Sequence, residues 1–260
     1  MVKKSFEKMR IIIITQDEPF YLKSNLEYLT KILPNESKIV GCVVNEASPF
    51  GKKETFIEKT LKTYNIFGFN FFIHYSIKYI KSYFSKSIKS FLTENDIPII
   101  NIEGSINSQR SLNTIKNFNP DLLVSILGNQ IFKKPLIDLA PKGCINLHTA
   151  LLPKYRGLMP TFWVMKNNEK HTGVSVFVVD EGIDSGPIIV QEKLEIGNLT
   201  QEQLIKRTKK IGMELISKSI DLIQRNEVKL IENDPSKKTY FTFPTRQDVI
   251  EFKKNGKKFF

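Results

Sequence analysis

The stretch "GCINLHTALLPKYRG", residues 143–157, closes an apolar run with an Asn and a His two positions apart, then turns through Pro and basic residues. Residues two apart in a strand share a face, so Asn146 and His148 project toward one pocket if this run is a strand. An imidazole relays protons near neutral pH, and a neutral amide donates a hydrogen bond to an oxyanion without being consumed. On its own, an Asn-x-His pair serves equally well to satisfy the backbone of a turn. A second cluster shifts the weight. "DEGIDSGPII" sets Asp180 and Asp184 in a Gly-rich connection between two apolar strands, where a tight turn can bring a carboxylate beside the imidazole.

Such a group needs a sheet to carry it. "RIIIIT" (10–15) is a short β-branched run suited to a strand buried on both faces, and "KIVGCVV" (38–44), "IPIINI" (97–102) and "DLLVSIL" (121–127) predict further strands. Between the first two, Pro19 suits a helix start, and Leu22, Leu26, Leu29 and Leu33 repeat at helical spacing. "SQRSLNTIKNFNP" predicts a helix ending at Pro120. This alternation marks an α/β, Rossmann-like, doubly wound and mostly parallel sheet, whose active sites sit at the C-terminal ends of its strands. The second half adds "GCINLH", a short helix from Pro160, and the strands "TGVSVFVVD" and "GPIIVQEKLEI" joined by "EGIDS". Thr200 with Gln203 forms a capping box for a helix ending near Arg225, and Thr245 with Asp248 resembles another N-cap pair. The aromatic stretch 65–84 predicts an amphipathic helix with Phe72, Tyr75, Tyr79 and Tyr83 on one side, packed on the sheet or on a partner subunit in preference to a peripheral membrane contact. His74 within it and His171 are expected to be structural.

"NLHTALLPKYRG", followed from Thr172 by "TGVSVFVVDEGIDSGPII", resembles the N10-formyltetrahydrofolate-dependent formyltransferases, over about residues 10–225 and most strongly over 120–195. The resemblance implies the formyltransferase fold and a catalytic trio of Asn146, His148 and Asp184. It also implies a formyl-folate cosubstrate held by the loop Gly128, Asn129, Gln130 and Ile131 and by the turn Asp180, Glu181, Gly182, Ile183 and Asp184, with no metal. These residue types suit the reaction. Formyl transfer needs attack by a neutral amine, a tetrahedral oxyanion and a proton for the departing folate nitrogen. No G-x-G-x-x-G accompanies the loop, so a nicotinamide site is poorly supported.

The acceptor is less defined. Only 35 residues follow Arg225, too few for the barrel domain of a methionyl-tRNA formyltransferase, and "TQDEPFY" replaces the Gly-rich phosphate loop of a glycinamide ribonucleotide transformylase. The resemblance then points to the sugar N-formyltransferases, with Lys154, Tyr155, Arg156, Phe162 and Trp163 as contacts to an anionic acceptor, a nucleotide-linked amino sugar. Core packing is the competing reading for Phe162 and Trp163. A methionyl-tRNA or glycinamide ribonucleotide formyltransferase stays as the alternative within the family, and a formyl-folate hydrolase or a non-catalytic folate- or nucleotide-binding module as the alternative outside it. The expected organisation is a catalytic domain over 1–225 with a short C-terminal extension, 226–260, that is not a domain of its own.

The bulk numbers add boundaries. The net charge of +12 permits an anionic partner, but its lysines are spread along the chain, so nucleic acid is not expected. Cys42 and Cys144 lie in apolar runs and suit reduced core thiols. No run approaches the roughly 18 apolar residues of a membrane span, so a cytoplasmic chain without stable membrane insertion is expected. A homodimer through the aromatic segment or the C-terminal segment stays open.

Overall fold

The computed structural model describes residues 8–46, 55–84, 87–128 and 130–260. In chain order the elements are β1 (Met9–Gln16), α1 (Leu22–Ile32), β2 (Ser37–Asn45), α2 (Phe56–Phe67), α3 (Phe69–Tyr83), α4 (Ile88–Glu94), α5 (Gln109–Lys116), β3 (Leu122–Ser125) and α6 (Lys134–Ile137). There follow β4 (Cys144–His148), β5 (Arg156–Gly157), α7 (Pro160–Lys166), β6 (His171–Val178), β7 (Ile188–Glu195), α8 (Gln201–Arg225), β8 (Tyr240–Phe241) and α9 (Arg246–Lys254).

Six strands form one sheet in the order β2-β1-β3-β4-β6-β7. The pairings from β2 to β4 are parallel, and β6 and β7 add antiparallel at the far side. The alternation along β1 separates two cores: Ile11 and Ile13 join the larger cluster with α1, α7 and α8, while Ile12 and Ile14 join the smaller one with α5. A strand that buries both faces must be apolar throughout, which is why "RIIIIT" lacks polar alternation.

Local chemistry fixes the helix starts. The Thr200/Gln203 and Thr245/Asp248 capping boxes both form. α1 begins at Leu22 rather than at Pro19, because the Glu18 carboxylate accepts the backbone N–H groups of Phe20, Tyr21 and Leu22 at 3.0, 2.8 and 3.1 Å. "IPIINI" is not a full strand. Only Ile99 bridges to Cys42, with backbone bonds from Cys42 to Pro98 and from Ile100 to Cys42, so the segment touches the sheet edge at one point.

The aromatic helix forms, but a different face packs. Phe71, His74, Tyr75 and Lys78 meet the body of the protein, whereas Tyr79 and Tyr83 are exposed. Phe71 stacks between Phe67 and Tyr75, His74 stacks on Phe260 at 3.8 Å, and Tyr75 meets Phe20 edge-on.

Residues 226–260 pack into the same core. Phe252 and Phe259 are buried against Phe162, and β8 pairs in parallel with β5. Both cysteines are free and buried, and burial pushes the Cys42 thiol up to about 12. No described helix is long and apolar enough to cross a membrane.

Candidate active site

A cavity of about 730 Å³ opens at the C-terminal ends of β1, β3 and β4, where a parallel sheet leaves room between its diverging loops. Asn146 and His148 lie at the tip of β4, paired with Phe177 and Ser175 of β6, and both line the cavity. Asp184 reaches the same place from the β6–β7 loop. Its carboxylate oxygen lies 3.5 Å from His148 Nδ1 and accepts the Gly157 backbone N–H at 2.8 Å.

The far side of the imidazole is held as well: Nε2 lies 2.7 Å from the Tyr155 carbonyl. A carbonyl oxygen only accepts, so Nε2 carries a proton. The proton that comes and goes therefore belongs to Nδ1, beside Asp184. His148 is 5% exposed, so water competes little for either contact.

The backbone around this pair is shaped to present it. Asp184 is left-handed at φ 48°, a conformation Asp tolerates better than most residues with a side chain, and its carbonyl accepts the Asn233 side-chain amide at 2.9 Å. Gly157 stands at φ 93°, and a Cβ there would lie 2.2 Å from the Phe241 carbonyl, so only glycine lets β5 approach β8 and offer its N–H to Asp184. Ser175 clamps the loop after β4, donating to Ala150 O at 2.7 Å and accepting from Leu152 N at 3.1 Å.

Asn146 contributes an amide whose oxygen is buried without a hydrogen-bond partner. An orphaned buried acceptor is costly, and it is relieved by a ligand that donates.

Gly128, Gln130 and Ile131 line the cavity, as do Asp180, Gly182 and Ile183; Asn129 lies outside the described residues. Two side chains fix the first loop: Gln130 Oε1 accepts from Ile106 N at 3.0 Å, and Asn107 bonds Ile131 O and Lys133 N at 2.8 Å each. Asp180 closes the second by accepting from Gly182 N and the Ser185 hydroxyl. Glu181 is exposed and does not line the cavity.

The five expected acceptor contacts fall elsewhere. Lys154 is exposed and outside the cavity. Tyr155 is buried on Phe241 and donates its hydroxyl to Glu169, so its contribution to the site is its carbonyl. Arg156 is buried and donates to the Asn233 side-chain oxygen at 2.7 Å. Phe162 and Trp163 belong to the core, with Trp163 stacked on Phe241 and donating to Thr242 O. Apolar burial outcompetes ligand contact for these rings.

The other end of the cavity is lined by side chains that the motifs do not mark: Phe20 and Tyr21 before α1, Lys62 on α2, Phe71 and Tyr75 on α3, and Lys209 on α8. Burial pushes the Lys209 ammonium below its ordinary value, and its facing carboxylate, Glu18, is 3.9 Å away. Burial raises the Tyr75 hydroxyl to about 12. Lys209 and Asn233 give little local signal. One sits at the border of an amphipathic helix face; the other is 49 residues from the aspartate it holds.

The amide, imidazole and carboxylate meet at the C-terminal end of β4 in a doubly wound, mostly parallel sheet. The formyl transferase family model matches residues 87–220, 134 of the 260 residues, and the chain belongs to that family. It is 35% identical over 176 residues to a methionyl-tRNA formyltransferase of Kosmotoga olearia, covering 66% of this chain and 56% of that protein. The chain spans about half the length of the curated relatives it matches. Among solved structures, a phosphoribosylglycinamide formyltransferase from Anaplasma phagocytophilum superposes at TM-score 0.62 with 17% identity, covering 91% of this chain and 100% of that one. An N-formyltransferase from Helicobacter canadensis, in complex with folinic acid and dTDP-3-aminofucose, superposes at 0.58 with 22% identity, covering 92% and 72%. These two likenesses establish a shared fold.

Proposed function

We propose that the protein transfers a formyl group from N10-formyltetrahydrofolate to the amino group of a nucleotide-linked amino sugar. The observation that carries this reading is the convergence of Asn146, His148 and Asp184 on one cavity, with the 128–131 loop and the 180–184 turn on its wall. The acceptor amine attacks the formyl carbon, and the carbonyl electrons move to oxygen. The Asn146 amide donates to that oxyanion. The amine's proton leaves through His148 Nδ1; the C–N10 bond then breaks, and N10 takes a proton as the folate departs. Asp184 orients the imidazole and balances its charge when Nδ1 is protonated.

The acceptor reading rests on the far end of the cavity. Aromatic rings at Phe20, Tyr21 and Tyr75 offer stacking surfaces, and Lys209 offers a cation of weak pairing, which suits a base and a diphosphate. The Helicobacter canadensis enzyme holding dTDP-3-aminofucose on this fold supports the same choice. The match to methionyl-tRNA formyltransferases favours a second reading, in which the amine is that of an aminoacyl-tRNA.

The test mixes the purified chain with N10-formyltetrahydrofolate and, separately, nucleotide-linked amino sugars, methionyl-tRNA and glycinamide ribonucleotide. Tetrahydrofolate release dependent on an amino sugar is expected. Release with methionyl-tRNA alone selects the second reading, and release with water alone identifies a hydrolase. Full turnover in both His148→Ala and Asn146→Ala overturns the trio.

A further inference from the structure

α3 is apolar on two sides. One side packs inward through Phe71 and Tyr75; on the other, Phe69, Ile73, Ile77, Ile80 and Phe84 recur every three or four residues and are 63, 39, 50, 57 and 83% exposed. On α2, Leu61 continues the same exposure at 55%. A surface helix ordinarily turns polar residues outward, as α8 does with Lys206 and Lys218. Here the outward side chains are those of a core.

The exposed charge of this region is basic apart from Glu58 at the start of α2: Lys81 on α3 and Lys89 on α4 are exposed, while Lys59 and Lys62 line the cavity and Lys78 turns inward to Glu202. The segment "KKNGKKFF" adds exposed lysines at 253, 254 and 258, and its Phe260 stacks on His74 of α3. Two copies docked through this face about a two-fold axis would oppose lysines to lysines, so the charge disfavours self-association.

We infer that the outer face of α2 and α3 docks on an anionic lipid surface, its isoleucines and phenylalanines entering the headgroup boundary and the nearby exposed lysines meeting the lipid charge. Apolar burial and a polybasic rim are the two contributions that together hold a protein on a membrane that neither would hold firmly alone. Because Phe71 and Tyr75 face the cavity from the inner side of the same helix, docking sets the cavity beside the membrane. This inference does not depend on the formyl acceptor.

Co-sedimentation of the full chain with vesicles tests it, using phosphatidylcholine alone and phosphatidylcholine containing phosphatidylglycerol. Binding to the anionic vesicles at low salt, weakened by added salt, is expected, with a loss of at least about tenfold in Ile77→Glu/Ile80→Glu. Circular dichroism checks that this variant stays folded, and Lys81→Glu/Lys89→Glu should weaken binding without touching the apolar stripe. Absence of binding to anionic vesicles, or equal binding to neutral ones, overturns the inference. A wild-type dimer by sedimentation equilibrium that Ile77→Glu/Ile80→Glu splits also overturns it, in favour of a second copy on this face.

Discussion

The two ends of the cavity are built by different means. At the trio end, short side chains are fixed by backbone: Tyr155 O and Gly157 N hold His148 and Asp184, and Asn233 holds the turn behind them. At the far end, long side chains hang from helices, and α3 has no buried residue at all. Asn146, His148 and Asp184 lie inside the family match of residues 87–220, as does Lys209, while Asn233 follows it and α2 and α3 precede it. Chemistry tolerates displacements of only fractions of an ångström, so it falls where main chain sets the geometry. Recognition of a particular acceptor tolerates adjustment, and the proposed function assigns it to the rings and lysines of the far end.

The sharpest way to break this comparison is to remove a group from the trio end. His148→Ala should lower kcat on the order of 10²–10⁴-fold with every acceptor. Asn146→Ala should cost on the order of 10²–10³-fold. Steady-state kinetics reads both, and a change confined to the acceptor KM would mean that this end binds rather than reacts. Next in size is Asn233→Ala, which leaves the Asp184 and Gly186 carbonyls and the Arg156 guanidinium without their common partner. Denaturant unfolding should show a loss of about 1–3 kcal/mol for this buried polar site, together with a fall in kcat as Asp184 loses its hold. The wall end should respond in the opposite parameter. Lys209→Met is expected to raise the acceptor KM by about tenfold, the scale of one charge-assisted bond, while kcat stays within about twofold. Loss of kcat with unchanged KM would merge the two ends into one function.

What the sequence made legible follows the same division. Asn146 and His148 could be placed from two-residue spacing at a strand end, whereas the Gly-rich turn offered Asp180 and Asp184 alike and only the family resemblance singled out Asp184. The capping boxes at Thr200 and Thr245 were readable because each lies within a few residues of the partner that completes it. "PKYRG" and "TFW" carry the residue types of a ligand site, yet of the five expected contacts Lys154 points to solvent, Arg156 bonds Asn233, and Tyr155, Phe162 and Trp163 are covered by the chain around β8 and α9. Phe241, Thr242 and Phe252 take the contacts that a ligand would have made. "IPIINI" failed as a strand because apolar composition alone does not say whether a segment lies along an edge or touches it once.

The smallest expected effect separates the two ends by pH. α3 is tied to the body by Glu202, whose carboxylate meets Lys78 at 2.9 Å, Lys206 at 3.0 Å and His74 at 3.2 Å. Burial opposes ionisation of this carboxyl, but the bonds from Lys78 and Lys206, with His74 behind them, outweigh it and bring Glu202 from its ordinary 4.5 down to about 2. A carboxyl lowered in the folded state contributes stability that is complete above about pH 4.5 and lost as the pH falls toward about 2. Across that window α3 should loosen before the sheet does, because the acid that anchors it is protonated while the apolar contacts of β1 and β3 are unaffected. Amide hydrogen exchange measured between pH 4.5 and 2.5 should show protection falling first over residues 69–83, after correction for the intrinsic pH dependence of exchange. Glu202→Gln should show that loosening already at neutral pH and flatten the difference. If α3 and the sheet instead lose protection together in both proteins, the wall is as rigid as the trio end, and acceptor choice must come from something other than its adjustability.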